Sequence, residues 1–433
     1  MNVTKQTLNL NYSTTEKSSI IIPMFDKSKM DFTGNIAIIG SMLNPILKGS
    51  INIPTIDIPE IPVVMTNTLV KLNGPILTGS GTVQKFKSGG IEAENLSANL
   101  LLKGENLYLN NLQGTAFDGK VGGNIIYNIS NAKTSIDFMG ENMNAEKAVH
   151  GAAGIKNALT GTLGFNTKLT LTVLDYNDMI RSMKGNLKFN IKNGSFLSIG
   201  RFDSFFQASN IINNSLLETT ASTITNAAGL SDTAKFDYLD GNLDFDNGWA
   251  ILNPIKSSGT ALAYYVTGKF NLISFSTNVN ILGRLDAPIV AKLGPIGELS
   301  TEKLLSFIPK FGNMTAKFVD ALTANPKGEN IAAIPALTNG STNYKEFKVV
   351  FNGGLESSSS IKSFKWLSEV DTSAIEQQSL TDTIKTIKSS VGTDLTNTVE
   401  SVKNTFSTQK EEWNATKDQL KNSAEEIKNL FKW

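Results

Sequence analysis

Short apolar runs that open on glycine and alternate with polar residues constrain this chain more than any other feature. Six show the pattern: Gly34-Asn35-Ile36-Ala37-Ile38, Gly123-Asn124-Ile125-Ile126-Tyr127, Gly161-Thr162-Leu163-Gly164-Phe165, Gly185-Asn186-Leu187-Lys188-Phe189, Gly241-Asn242-Leu243-Asp244-Phe245 and Gly268-Lys269-Phe270-Asn271-Leu272. Apolar side chains at i and i+2 project from one side of an extended strand, so each run reads as a strand with one oily and one wet face. Glycine and the neighbouring Asn, Asp and Ser supply turn geometry between runs. Many such runs in succession predict an antiparallel meander with an apolar and a polar face. The repetition is loose and lacks the fixed period of a propeller or solenoid.

Other stretches punctuate this pattern. Asn52–Pro62 alternates apolar residues but inserts Pro54, Pro59 and Pro62, which cannot donate to a ladder; it is expected at a sheet edge or in a crossing loop. Helical spacing marks Leu174–Lys184 through Leu174, Ile180 and Met183. It marks Phe202–Ala228 through Phe202, Phe205, Phe206, Ile211, Ile212, Leu216 and Leu217. Leu299–Pro309 is a third helix, with Ser300 placed to cap it. From about Trp366 the text changes. Leu380, Ile384, Ile387, Val391, Leu395, Val399, Val402 and Phe406 advance by threes and fours, and Trp413, Leu420 and Ile427 follow at sevens. This predicts a long amphipathic helix with a narrow apolar stripe. It suits a membrane surface, a cover along a sheet edge, or a solvated helix. The expected organisation is therefore a strand-rich part over 1–90, a second β part with helical insertions over 91–365, and a helical tail over 366–433.

Chemistry-bearing groups are scarce. The chain of 433 residues has no Cys and one His, which excludes thiolate sites and leaves His150 without a second histidine to share a metal. His150 stands among small residues in Asn144–Gly154 and reads as structural or exposed. Asp244 and Asp246 sit two apart on a strand, where they wet the polar face and cap the turn before Gly248. Ser257-Ser258-Gly259 and Gly89-Gly90 lack the strand-to-helix setting of a nucleophile elbow or phosphate loop. With 40 Lys and Arg against 39 Asp and Glu, the formal charge of +1 offers nucleic acid no basic face. No catalytic residue, metal or cofactor is expected. Met1–Ser19 lacks the apolar run of an export signal, and no segment has the roughly 20 apolar residues of a membrane span.

Several blocks repeat one ordered pattern of glycines and alternating apolar residues. Ile91–Gly123, "IEAENLSANLLLKGENLYLNNLQGTAFDGKVGG", is similar to the start of the AsmA C-terminal region through Leu96, Leu100, Leu102, Leu107, Leu109, Leu112, Phe117, Asp118, Gly119 and Gly123. "MIRSMKGNLKFNIKNGSFLSIG" follows with Gly185, Leu187, Phe189, Ile191, Asn193 and Gly194. Phe236–Pro288 then supplies Phe236, Leu239, Gly241, Asn247, Gly248, Gly268 and Leu272 in family order. "GSMLNPILKGSINIP", Gly40–Pro54, looks like a phrase shared by AsmA and the related TamB-type proteins. The resemblance, to the AsmA family of bacterial envelope proteins, runs from about Gly34 to Trp366. The family's membrane anchor has no counterpart here, and the tail after Trp366 matches no family element.

On the residues alone, the apolar side chains could fill a packed core or line an open groove. The resemblance implies the second: a mainly β fold with helices, in which an elongated, curled antiparallel sheet forms an open apolar groove, as in bridge-type lipid transfer proteins. Leu187, Phe189, Ile191, Leu243, Phe245, Phe270, Leu272 and Phe275 are the candidate groove residues. The resemblance further implies phospholipid acyl chains as partners and a place on the periplasmic side of the inner membrane. Membrane association would come through an upstream anchor or the C-terminal helix, and the role would be lipid transport in outer-membrane biogenesis. The rival expectation is an assembly factor that binds envelope proteins and carries no lipid.

Overall fold

The computed structural model describes residues 7–22, 25–41, 44–75, 77–197, 202, 230–293, 297, 322–354 and 361–369. Eighteen strands join in one sheet. The first half comprises β1 (Thr7–Ile22), β2 (Phe25–Ser41), β3 (Asn44–Ile58), β4 (Val63–Pro75), β5 (Gly79–Ser88), β6 (Ile91–Lys103), β7 (Asn106–Ala116), β8 (Gly119–Asn128) and β9 (Lys133–Asn144). The second comprises β10 (Thr162–Thr172), β11 (Lys184–Ser195), β12 (Lys235–Asp246), β13 (Trp249–Ser258), β14 (Leu262–Asn271), β15 (Ser276–Asp286), β16 (Thr323–Ala324), β17 (Tyr344–Gly354) and β18 (Ile361–Leu367). From β1 to β15 each strand pairs antiparallel with the next. β17 then pairs with β15 and β18 with β17, and the two-residue β16 lies parallel to β18. All six glycine-led runs fall on these strands except for two end residues, Gly161 before β10 and Leu272 after β14. The sheet passes the expected boundary near residue 90 through an ordinary hairpin between β5 and β6.

Sheets of this size must bend, and asparagine supplies the bend. Asn67 in β4, Asn95 in β6, Asn111 in β7, Asn142 in β9 and Asn193 in β11 hold φ between 50 and 54°. Asparagine tolerates this left-handed conformation because its short amide bonds locally to the backbone. Beside each one the inward-facing residues step by three instead of two, as from Ala93 to Leu96, Leu109 to Leu112 and Gly140 to Met143. Pairing registers shift next to Asn95, Asn111 and Asn142. Such bulges kink a strand and increase its twist. The curl shows in a contact: Val173, just past β10, packs against the cluster of Ile56 and Ile58 at the tip of β3. Seven strand spacings would separate these strands by about 34 Å in a flat sheet. The sheet is curled yet open, its outer strands unpaired with each other.

The main packed core lies under the last strands. Phe236, Leu239, Leu262, Tyr264, Leu285, Phe347, Val349, Phe364 and Trp366 are buried together with Phe202, Leu230, Ile289 and Val290. Phe347 stacks on Phe364 at 5.3 Å, and Trp366 stands edge-on to both. Among the described residues three α-helices interrupt the sheet. α1 (Ala145–Ala153) is capped by Asn144, whose side chain accepts from the Lys147 amide, and ends at left-handed Gly154. α2 (Tyr176–Ser182) is the helix predicted over 174–184, capped by Asp175. α3 (Ala287–Lys292) starts from Asp286 and buries Ile289 and Val290. The helices predicted over 202–228, apart from Phe202, and over 299–309, and the tail beyond 369, lie outside the described residues.

The proline run departs from expectation in part. Pro54 sits inside β3, an interior strand, although an edge or crossing loop was expected. Pairing of β3 with β2 ends at Asn52, so beyond it only β4 flanks β3 and the missing amide breaks no ladder on the β2 side. Pro59 and Pro62 fall in the turn leading to β4. On the polar face, Arg284 fastens the crossing segment before β17. Its Nε donates to Glu346 at 2.9 Å, and its Nη1 and Nη2 donate to the carbonyls of Ile334 and Ile331 at 3.0 and 3.1 Å. Its guanidinium lies 4.7 Å from the Tyr344 ring centre.

Candidate functional site

Directly opposed residues in an antiparallel pair point to the same side of the sheet, so the registers can be chained from strand to strand. One chain runs Tyr12, Ile36, Gly49, Leu72, Gly79, Leu100, Leu109 and Ile125 over β1 to β8. It continues as Ile136, Leu169, Gly185, Phe245, Ala250, Phe270, Thr277 and Gly353, reaching β17. Across sixteen strands only Thr277 is polar. The neighbouring positions give the opposite face: Asn124, Asp137, Lys168, Asn186, Asp244, Ile251, Lys269, Asn278 and Asn352. Only Ile251 in that row is apolar. Over β8 to β17 these two rows make the sheet two-faced, although farther along the opposite face Ala263 and Leu282 are buried against Ile334, Leu337 and Leu367.

Threonines on the apolar side hide their hydroxyls. Thr167 donates to the Asn186 carbonyl at 2.8 Å and Thr277 to the Gly353 carbonyl at 2.7 Å. Each presents its methyl group to the face while the oxygen is satisfied by backbone. Tyr127, on the same face opposite Thr134, has its phenol pKa pushed up by burial. No ionised side chain interrupts the long row.

Burial varies along this face. In the long row Ile36, Leu100, Leu109, Ile125, Ile136 and Leu169 are half-buried, with water still reaching them, and Leu72 is buried; on the same face Ala93, Ala116, Val121 and Met143 close into a buried cluster, as do Ile56 and Ile58. In the C-terminal strands, the rows nearer α3 are closed: Ile191, Leu239, Tyr264, Ile281, Phe347, Val349, Phe364 and Trp366 are buried.

Six of the eight candidate groove residues share the apolar face. Leu187 pairs with Leu243, Phe245 lies in register with Ala250 and Phe270, and Phe189 opposes Gly241. Phe189 lies flat over Gly241, where an added Cβ would meet its ring at 2.2 Å. Ile191 belongs to the covered part and is 3% exposed. Leu272 and Phe275 lie in the turn between β14 and β15, and Phe275 has φ 55°. Phe275 was expected at an alternating strand position; the Asn271 side chain, which accepts from the amides of Ile273 and Ser274, ends the strand first. The bulge asparagines escaped the sequence reading, which assigned Asn to turns. The three-residue step between apolar positions beside each Asn was the available signal.

The chemistry-bearing groups stay apart. His150 is exposed on α1, with its backbone carbonyl accepting the Gly154 amide. Asp244 accepts from Asn253 at 2.6 Å and Asp246 pairs with Lys184 at 3.4 Å. Ser258 is buried and donates to the Ala336 carbonyl at 2.6 Å. Among the described residues no cluster of His, Asp or Glu could hold a metal ion. No helix among them is long and apolar enough to cross a membrane. Comparison with protein-family models, with curated proteins and with solved structures gives no match.

Proposed function

We propose that the apolar face is a trough for lipid acyl chains, and that the protein shelters or conducts glycerophospholipid between the inner and outer membranes of a bacterial envelope. The carrying observation is the sixteen-strand apolar row whose members, over the first eleven strands, are mostly half-buried and still reached by water, Leu72 excepted. Fifteen strand spacings of about 4.8 Å give the row a contour of about 70 Å along the curled sheet. Exposing apolar surface on this scale is costly, and soluble monomers rarely keep contiguous patches beyond a few hundred Å² without a use. Acyl chains suit such a surface, since each methylene removed from water contributes about 0.8 kcal/mol without directional contacts. The envelope setting, attachment through an upstream anchor or the C-terminal helix, and the role in outer-membrane biogenesis rest on the AsmA resemblance. The aromatic core under the last strands favours a second reading for that part alone, an assembly surface that carries no lipid.

Binding of a fluorescent phospholipid to the full chain tests the trough. Leu187→Asp with Leu243→Asp, adjacent on the apolar face, is expected to weaken binding by about tenfold or more. Lys188→Asp, on the polar face of the same strand, is expected to leave it unchanged. Absence of saturable binding by the unaltered chain would refute the trough.

A further inference from the structure

The two outer strands of the sheet are treated differently. At the far end, β18 is flanked by β16 and buries Phe364 and Trp366 in the aromatic core. At the near end, β1 has β2 on one side and no described strand on the other. Leu10 and Tyr12 point to the apolar face there and are 57% and 54% exposed, more than any other large apolar residues described. Glu16, Lys17 and a register shift between Thr14 and Ser18 lie in the second half of β1, but Thr7–Thr14 pairs with β2 without interruption and contains no charge, proline or bulge. These are the devices by which proteins ordinarily blunt an edge. An outer strand presents unpaired backbone amides and carbonyls, and these are satisfied by another strand.

We propose that β1 is a self-association edge, which pairs antiparallel with β1 of a second copy about a two-fold axis near Asn11. This rests on the edge itself and is independent of the lipid reading. A two-fold axis perpendicular to the sheet keeps each copy's apolar side on the same side, so Leu10 meets the second copy's Tyr12 and the apolar face continues across the join. A one-residue slip would put Leu10 against a polar side chain and is disfavoured. Charge favours a second copy as occupant: the formal charge is +1, so two copies repel little.

The absence of cysteine from the chain permits a clean test. Opposed residues in an antiparallel pair have Cα atoms about 4.5–5.5 Å apart, within disulfide reach. The full-length Asn11→Cys variant is expected to form a disulfide-linked dimer under mild oxidant, whereas Ser363→Cys on β18 stays unlinked. Light scattering is expected to give twice the 46.8 kDa of one chain. Leu10→Lys with Tyr12→Lys should halve that mass while leaving the far-ultraviolet circular dichroism unchanged. A monomer with no Asn11→Cys linkage overturns the proposal. So does a larger ladder in which Asn11→Cys links to Ser363→Cys in a mixture of the two variants, because that joins opposite edges.

Discussion

A polar substitution at two positions of the same apolar face separates a packed core from an open surface. Val349 is fully buried in β17, opposite Phe364 and Ile281. Val349→Asn forfeits about 1.5–2 kcal/mol of valine burial and strands an amide among aromatic rings at about 1–3 kcal/mol more. The cost is about 3–5 kcal/mol. Leu100 occupies the same face in β6 but is half-buried, between Leu109 and Gly79. Leu100→Asn loses roughly half of a leucine's burial and keeps its amide wet, about 1 kcal/mol. Hydrogen exchange followed by mass spectrometry reads the two regions separately. At about 1.4 kcal/mol per tenfold, Val349→Asn is expected to speed exchange in β15, β17 and β18 by more than about a hundredfold, and Leu100→Asn in β5 to β7 by about fivefold. Equal effects at the two sites would show that the face is packed shut throughout, and the division into open and covered parts would be wrong.

Further outcomes follow from individual contacts. Arg284→Met leaves the largely buried Glu346 carboxylate without its partner and is expected to cost about 3–5 kcal/mol; adding Glu346→Gln should recover part of it, both read from urea midpoints. Asn111→Val places a β-branched residue at φ 53° and is expected to cost about 1–2 kcal/mol, whereas Asn111→Gly should be near neutral in the same assay. Burial pushes the Tyr176 phenol up from 10.0 to about 12. The folded state therefore holds this proton longer than the unfolded chain does. That contribution is complete below pH 10 and is lost as pH rises toward 12, so the melting difference between the native chain and Tyr176→Phe should change only in that alkaline window.

The strand content and the two-faced character were legible because both follow from alternation, and the six glycine-led runs all became strands. Helix α2 was legible from Leu174, Ile180 and Met183, with Asp175 adding a cap. The curl was not legible from periodicity, because it is made by single asparagines in a left-handed conformation that shift the period by one residue. Pro54 was misread for a related reason. Its rule concerns a missing ladder bond, and whether β2 still lies alongside at that point depends on where β2 and β3 diverge. Which half of the apolar face is covered was also hidden. Phe189 and Ile191 are two residues apart with similar patterns, yet only Ile191 belongs to the buried row that the C-terminal strands, Phe202 and α3 close over.

The central claim is that this sheet holds acyl chains on its apolar side, and native mass spectrometry of the full chain, purified from bacterial membranes or lysate without detergent, tests it most directly. Extra mass in phospholipid increments is expected, lost on extraction with organic solvent and restored by incubation with vesicles. A bare chain that takes up no phospholipid from vesicles, with its apolar face protected from exchange as strongly as Val349, would contradict it.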